Sequence, residues 1–268
     1  MINEIFETSK PVIGMVHFPP LPGSPLYDGQ SLREISEIAL HDAQIYEKLG
    51  FDGILFSNEG DRPYLSNVDE YTTAVMSRLI FEITQKVRMP FGVSVLADPE
   101  AAIAVAEAVE ANFVRIFLTW VFVGDWGFIN PKAGELQRFK KNIFGKAKIL
   151  ANVSGHSEPL GGRSIGQIVK GAIKFGLADG ICVSGSTAGE EAPEEDIKLA
   201  KENSDGVPVF VGTGVNIENL ERMLNISDGI IVGTSLKKEG NTFNPVDEER
   251  AKKFIERAKE IKRRRNYW

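Results

Sequence analysis

One pattern constrains this chain more than any other, and it repeats eight times: a short, almost continuously apolar run, then a stretch with the period of an amphipathic helix. The runs are PVIGMV (11–16), DGILFS (52–57), FGVSVL (91–96), VRIFL (114–118), AKILANV (147–153), DGICVS (179–184), VPVFVG (207–212) and DGIIVG (228–233). Such runs suit parallel strands covered on both faces. The first helical stretch, 31–50, has Ser31 as N-cap, Glu34 completing a capping box and Gly50 as its stop. The others cover 67–87, 98–112, 133–143, 164–176, 192–203, 216–224 and 246–265.

Strict strand–helix alternation leaves two architectures, a closed barrel or an open doubly wound sheet. Eight units without a Pro-, Ser- or Gly-rich linker favour an α/β (β/α)8 TIM barrel, expected as a single domain over 1–268. Asp-Gly-Ile recurs at 52–54, 179–181 and 228–230, as though one unit were used repeatedly.

The formal net charge of −6 argues against non-specific nucleic-acid binding, which needs clustered cations. No apolar run is long enough for a membrane span. MINEIFETSK has neither the basic nor the apolar region of a signal peptide. The single cysteine, Cys182, excludes an intrachain disulfide and reads as a buried strand thiol, so the expected compartment is the cytoplasm. KRRRNYW at the end reads as a solvated last helical turn whose cations complement the helix dipole.

Chemistry in such a barrel sits where the strands end and the βα loops begin. Reading those ends gives His17, Glu59, Asp61, Asp98 and His156 as acid or base candidates. Asn58, Asn152 and Ser184 are candidates for holding substrate, as is Arg115, which either enters the lumen toward a carboxylate or lies outward with its head snorkelling. His41, inside the first long helix, reads as a packed or solvated side chain. The prolines after His17 in HFPPLPGSP limit the loop's freedom and suit a preorganised wall.

The last two loops, VGTGVNIEN (211–219) and VGTSLKKEG (232–240), differ in kind. Gly212, Gly214 and Gly233 let backbone approach an anion, and Thr213, Thr234 and Ser235 offer hydroxyls. A helix beginning near Asn216 and a short one at Ser235 would add free N–H groups. Small residues that merely make tight turns are the alternative. Two such loops on adjacent final strands point instead to phosphate. The three histidines have no metal-ligand spacing, so neither a metal nor a cofactor is expected.

IGMVHFPPLPGSP (13–25) resembles the N-terminal signature of the BtpA/SgcQ family, and the similarity continues through SNEGDRPY (57–64) and from Ala178 onward. The resemblance implies a TIM barrel of the ribulose-phosphate-binding type. It also implies links to photosystem I biogenesis in cyanobacterial members and to sugar-metabolism genes in an enterobacterial one. Where the family has Glu-Asn-Phe-Gly-Asp, this chain has Ser57-Asn58-Glu59-Gly60-Asp61. Ala97 and Asp98 stand where the family tends to Arg-Asn, and Asn152 and Gly155 replace an Asp and a Lys before His156.

The expectation is an enzyme acting on a small phosphorylated metabolite, a sugar or ribosyl phosphate, by isomerisation or aldol-type cleavage. A non-catalytic ligand-binding or assembly factor is the rival. Phosphoribosylanthranilate isomerisation is a narrower option, but that chemistry is usually built on a cysteine ending the first strand, where this chain has His17. A homo-oligomer is expected, with Trp126 and Phe128 in the fourth loop as candidates for an interface or a lid.

Overall fold

Each of the eight apolar runs forms a strand in the structure, a computed structural model that describes residues 1–265. The barrel strands are β1 (Val12–His17), β2 (Gly53–Ser57), β3 (Phe91–Ser94) and β4 (Phe113–Phe117). Two short strands, β5 (Phe122–Gly124) and β6 (Gly127–Ile129), intervene before β7 (Lys148–Asn152), and β8 (Ser157–Pro159) follows it. The circuit continues with β9 (Gly180–Val183), β10 (Val209–Val211) and β11 (Gly229–Val232). All eight barrel strands are parallel and close in the order β1–β2–β3–β4–β7–β9–β10–β11, with β11 pairing β1. Strands β6, β5 and β8 make a separate antiparallel sheet.

A short helix, α1 (Ile2–Ile5), precedes the barrel. The eight that follow barrel strands are α2 (Leu32–Leu49), α3 (Glu70–Thr84), α4 (Pro99–Ala108), α5 (Ala133–Asn142), α6 (Ile165–Lys174), α7 (Glu194–Glu202), α8 (Leu220–Ile226) and α9 (Glu248–Arg265). α2 carries the expected ends: Ser31 and Glu34 form the capping box, and Gly50 closes the helix at φ 73°.

The recurring Asp-Gly-Ile has a physical cause. Each aspartate precedes a strand and accepts the N–H of a residue opening the neighbouring one. Asp52 accepts Val12 N (2.7 Å), Asp179 accepts Ile149 N (2.9 Å) and Asp228 accepts Val209 N (2.8 Å). These carboxylates bond the strand entries at the bottom rim, where an unpaired N–H would be costly.

Two apolar layers result. One lies between strands and helices and includes Tyr46, Phe56 and Phe254. The other fills the lumen with Ile13, Met15, Leu55, Phe113, Leu150, Cys182, Phe210 and Ile231, and Met1, Ile2, Ile5 and Phe6 of the α1 segment pack beneath it as a plug. Burying one such phenylalanine contributes about 1.5–3 kcal/mol. Side chains alternate along a strand, so the next inward position lies two residues on. That step turns the apolar layer into a polar one: His17, Ser57, Ser94, Arg115, Asn152 and Ser184, with Gly212 and Gly233 completing the ring.

Two expectations are corrected, and two features are new. The helix expected near Asn216 begins at Leu220, because Asn216 Oδ1 accepts the N–H groups of Glu218 and Asn219 (both 3.0 Å) in a turn. Lys262 of the terminal basic run is buried and bonds Asp52 at 2.8 Å rather than facing solvent; residues 266–268 of that run lie outside the described residues. Helix α1 and the three-stranded sheet had no counterpart in the sequence reading, since each element is only three or four residues long.

Candidate functional site

The mouth of the barrel is built around His17. Its Nδ1 lies 3.2 Å from the Thr242 carbonyl oxygen, which can only accept, so Nδ1 carries the proton and Nε2 presents its lone pair. Nε2 stands 3.9 Å from Glu59 Oε2. Burial, reinforced by the nearby Lys237 and Arg115 cations, pushes the His17 pKa down to about 3, so the ring is neutral. Burial pushes the Glu59 carboxyl in the opposite direction, upward. Tyr64 Oη donates to the Glu59 carbonyl (3.0 Å) and to its Oε1 (3.3 Å), while Ser57 Oγ donates to Oε2 (3.5 Å).

Arg115 enters the lumen, as one of its two expected orientations required, yet it meets no carboxylate there. Its Nε donates to Asn152 Oδ1 (2.9 Å) and its Nη2 to Ser184 Oγ (3.0 Å), and every described carboxylate lies beyond ion-pair distance. His156 sits at φ 53°, its ring 5.7 Å from that of Trp126. Burial, then Arg115, lowers its pKa to about 4. Glu59, Arg115, His156 and His17 share the wall of a cavity of about 130 Å3 with Gly212–Asn216 and Gly233–Ser235. Arg115, Glu59 and His156 also border a smaller void roofed by Trp126.

Other candidates do different work. Asp98 caps α4 by accepting Glu100 N and Ala101 N (3.0 Å each), and its second oxygen accepts Val68 N (2.9 Å). Asp61 accepts Leu21 N (2.7 Å) and Asn58 Nδ2 (3.1 Å), fastening the proline segment to the β2 loop. Asn58 Oδ1 accepts Leu96 N at 2.8 Å. These three hold loops in place, and neither cavity wall includes them.

The hydroxyls of the final loops bond within the protein. Thr213 Oγ1 accepts Gly185 N (2.6 Å) and donates to the Glu190 carbonyl (2.9 Å). Ser235 Oγ donates to the Val215 carbonyl (2.7 Å), and Thr234 Oγ1 pairs with Thr242 Oγ1 (2.8 Å). Gly212 N–H donates to the Val183 carbonyl (2.8 Å). The hydroxyls therefore tie loops together, and backbone is what faces the cavity. Thr234 N and Ser235 N open the 3-10 turn Thr234–Leu236, whose own bonding starts at Leu236 N to Gly233 O, so they have no acceptor within it. Gly214 adopts φ 70°, and a Cβ there would run into the Glu190 carbonyl.

Sequence reasoning missed three participants. Tyr64 orients Glu59, Thr242 orients His17, and Lys237 forms a buried pair with Asp42 (2.6 Å) beside the site. Thr242 and Lys237 have no spacing signal because their partners, His17 and Asp42, lie 225 and 195 residues away, whereas Tyr64 sits five residues after Glu59 in the same loop. His41 is exposed, and Cys182 is buried in the lumen layer with its thiol free.

Eight parallel strands enclosing a polar mouth at their C-terminal ends define a TIM barrel. Over residues 8–260 the sequence matches the model of the BtpA family, and the chain belongs to that family. It is 37% identical over 265 residues to the sgc region protein SgcQ of Escherichia coli, covering 98% of this chain and 99% of that one. It is 36% identical over 257 residues to the photosystem I biogenesis protein BtpA of Synechocystis, covering 94% and 89%. Among solved structures, phosphoribosyl anthranilate isomerase from Thermus thermophilus superposes with a TM-score of 0.57 at 15% identity, over 94% of this chain and 99% of that one. Among the described residues no helix is long and apolar enough to cross a membrane.

Proposed function

We propose that this protein is an enzyme acting on a small phosphorylated metabolite, a sugar or ribosyl phosphate, by isomerisation or aldol-type cleavage. The observation that carries this reading is Arg115, a guanidinium held in the barrel mouth by the neutral partners Asn152 and Ser184. Desolvating a cation is costly; Glu59 shares its cavity beyond ion-pair distance, and an anionic ligand offsets the remaining cost. The N–H groups of Thr234 and Ser235 would share the phosphoryl oxygens.

Isomerisation and aldol cleavage both move a proton next to a carbonyl and gather negative charge on an enediolate oxygen. Neutral His17 offers Nε2 as the base, and Glu59, held toward its protonated form by burial, is the acid beside it. His156 lines the same cavity and would face the oxygen where that charge collects. The fold shared with a phosphoribosyl-utilising isomerase is compatible with this, although β1 ends in a histidine and Cys182 lies one layer below the mouth. We further read the protein as cytoplasmic and homo-oligomeric, with exposed Phe128 available to an interface.

A second reading, a ligand-binding or assembly factor without turnover, is favoured by one observation. With Asp61 and Asp98 occupied elsewhere, Glu59 alone remains of the three acids considered for the mouth. Titration with inorganic phosphate and a panel of sugar phosphates, with turnover followed in parallel, separates the two. Binding with conversion supports the enzyme. Binding without conversion across the panel supports the factor, and no binding removes both.

A further inference from the structure

On the far side of His17 from the lumen lies a groove of about 790 Å3, several times the roughly 130 Å3 cavity at Arg115. His17 forms part of the wall of both. Resting on the function proposed above, we propose that this groove holds the organic half of the ligand, and that this half carries a planar ring.

Size is the first argument. The Arg115 cavity, at about 130 Å3, lies below the range of ordinary small-molecule sites and suits a phosphoryl group with few further atoms. The groove falls in the range of ordinary small-molecule sites, about 300–1,000 Å3. A ligand anchored at Arg115 and longer than a few atoms can continue past His17, whose side chain both cavities share.

The groove's surface is the second. Along one side run Phe18, Pro19 and Pro20, stiffened by the fixed φ of proline, and along the other the loop through Phe243. Phe243 is 47% exposed, and the Arg62 guanidinium lies 3.5 Å from its ring centroid, so the two present a flat, preassembled platform. A ring stacked beside an arginine suits another planar group.

Charge is the third. Two of the three carboxylates bordering the groove are paired with cations, Asp42 with Lys237 (2.6 Å) and Glu37 with Arg33 (2.8 Å), while Glu34 keeps its charge and accepts from Ser31 N (2.7 Å). Arg62 and Lys238 have no carboxylate within ion-pair distance among the described residues. Around Phe243 and Arg62 the surface is aromatic and cationic, which suits a ring bearing lone-pair acceptors.

The test compares ribose 5-phosphate with ring-bearing phosphate monoesters: phenyl phosphate, adenosine 5′-monophosphate and uridine 5′-monophosphate. At least one of these binds the wild-type chain about tenfold more tightly than ribose 5-phosphate, the gain one stacked ring provides. Phe243→Ala and Arg62→Met abolish that gain and leave ribose 5-phosphate affinity unchanged, while Arg115→Met weakens both kinds of ligand. Phe243 is exposed, so its variant keeps the fold, and a wild-type denaturation midpoint verifies this. If ribose 5-phosphate binds and no ring-bearing ester binds better, the groove proposal is overturned and the phosphate reading stands. A gain that survives both groove variants overturns it equally. If no phosphate ester binds, both proposals fall.

Discussion

Nε2 of His17 and Oε2 of Glu59 face each other across 3.9 Å, with only 9% of either side chain exposed. Burial disfavours imidazolium and carboxylate alike, lowering the His17 pKa to about 3 and raising that of Glu59. The acid-base capacity of the mouth thus rests on two groups pushed toward their neutral forms, His17 steadied by Thr242 from another loop and Glu59 by Tyr64 of its own loop.

Acid sensitivity follows from His17. Its pKa falls from 6.5 in the unfolded chain to about 3 in the folded one, so below pH 6.5 the unfolded state binds the additional proton and stability drops as pH falls. His156, lowered to about 4, acts in the same direction. Glu59, with its raised pKa, contributes the opposite slope above its unfolded value and partly offsets them. Between pH 7 and 5 the His17→Asn variant should lose about 2 kcal/mol less stability than wild type, measured by urea denaturation at each pH. Equal losses would show that His17 is not buried neutral.

Arg115→Gln should weaken inorganic phosphate and ribose 5-phosphate binding about 10- to 100-fold, the range for losing a charged hydrogen-bond donor. Arg115→Lys should recover only part of it, since an ammonium cannot reproduce the fork that reaches Asn152 and Ser184 together. Isothermal titration calorimetry reads both. Unchanged affinity in the glutamine variant would remove Arg115 as the anion anchor.

Lys237 and Asp42 are almost fully buried and 2.6 Å apart, and Asp42 also accepts Val246 N at 2.8 Å. Lys237→Met leaves a buried carboxylate without its cation and should cost about 3–5 kcal/mol. The double variant Lys237→Met with Asp42→Asn should recover a good part of that loss in the same denaturation assay, because the amide oxygen still accepts Val246 N.

Asp98→Ala removes the cap of α4 and the bond to Val68 N, at a cost of about 1–2 kcal/mol. Phosphate affinity should stay at the wild-type value. A catalytic role for Asp98 would instead appear as lost turnover at full stability.

Gly214→Ala should be destabilising by about 1–3 kcal/mol, since φ 70° and the adjacent Glu190 carbonyl both exclude a side chain. Gly233→Ala should be milder: Gly233 has φ −135°, and its Cβ would meet Met15 Cβ at 3.1 Å and His17 Cε1 at 3.2 Å. Comparing their denaturation midpoints checks the difference.

The eight strands, the helices after them and the polar ring at the mouth were legible because they depend on local periodicity. An inward position repeats every second residue, so Met15 leads to His17, Phe113 to Arg115 and Leu150 to Asn152 without knowledge of any partner. The cavity is also lined, as the glycines suggested, by the last two βα loops. Sequence alone could not separate Glu59, which faces His17, from Asp61, two residues on, which is held by Leu21 N. Nor could it separate Asp98 as a cap from Asp98 as an acid, or tell that the Thr213 and Ser235 hydroxyls are occupied. Those distinctions depend on which donors and acceptors barrel closure brings together: Asp98 meets Val68 from 30 residues away, and His17 meets Thr242 from 225. Pattern along the chain determined where polar groups stand, and only the closed barrel decided which of them remain free to meet a ligand.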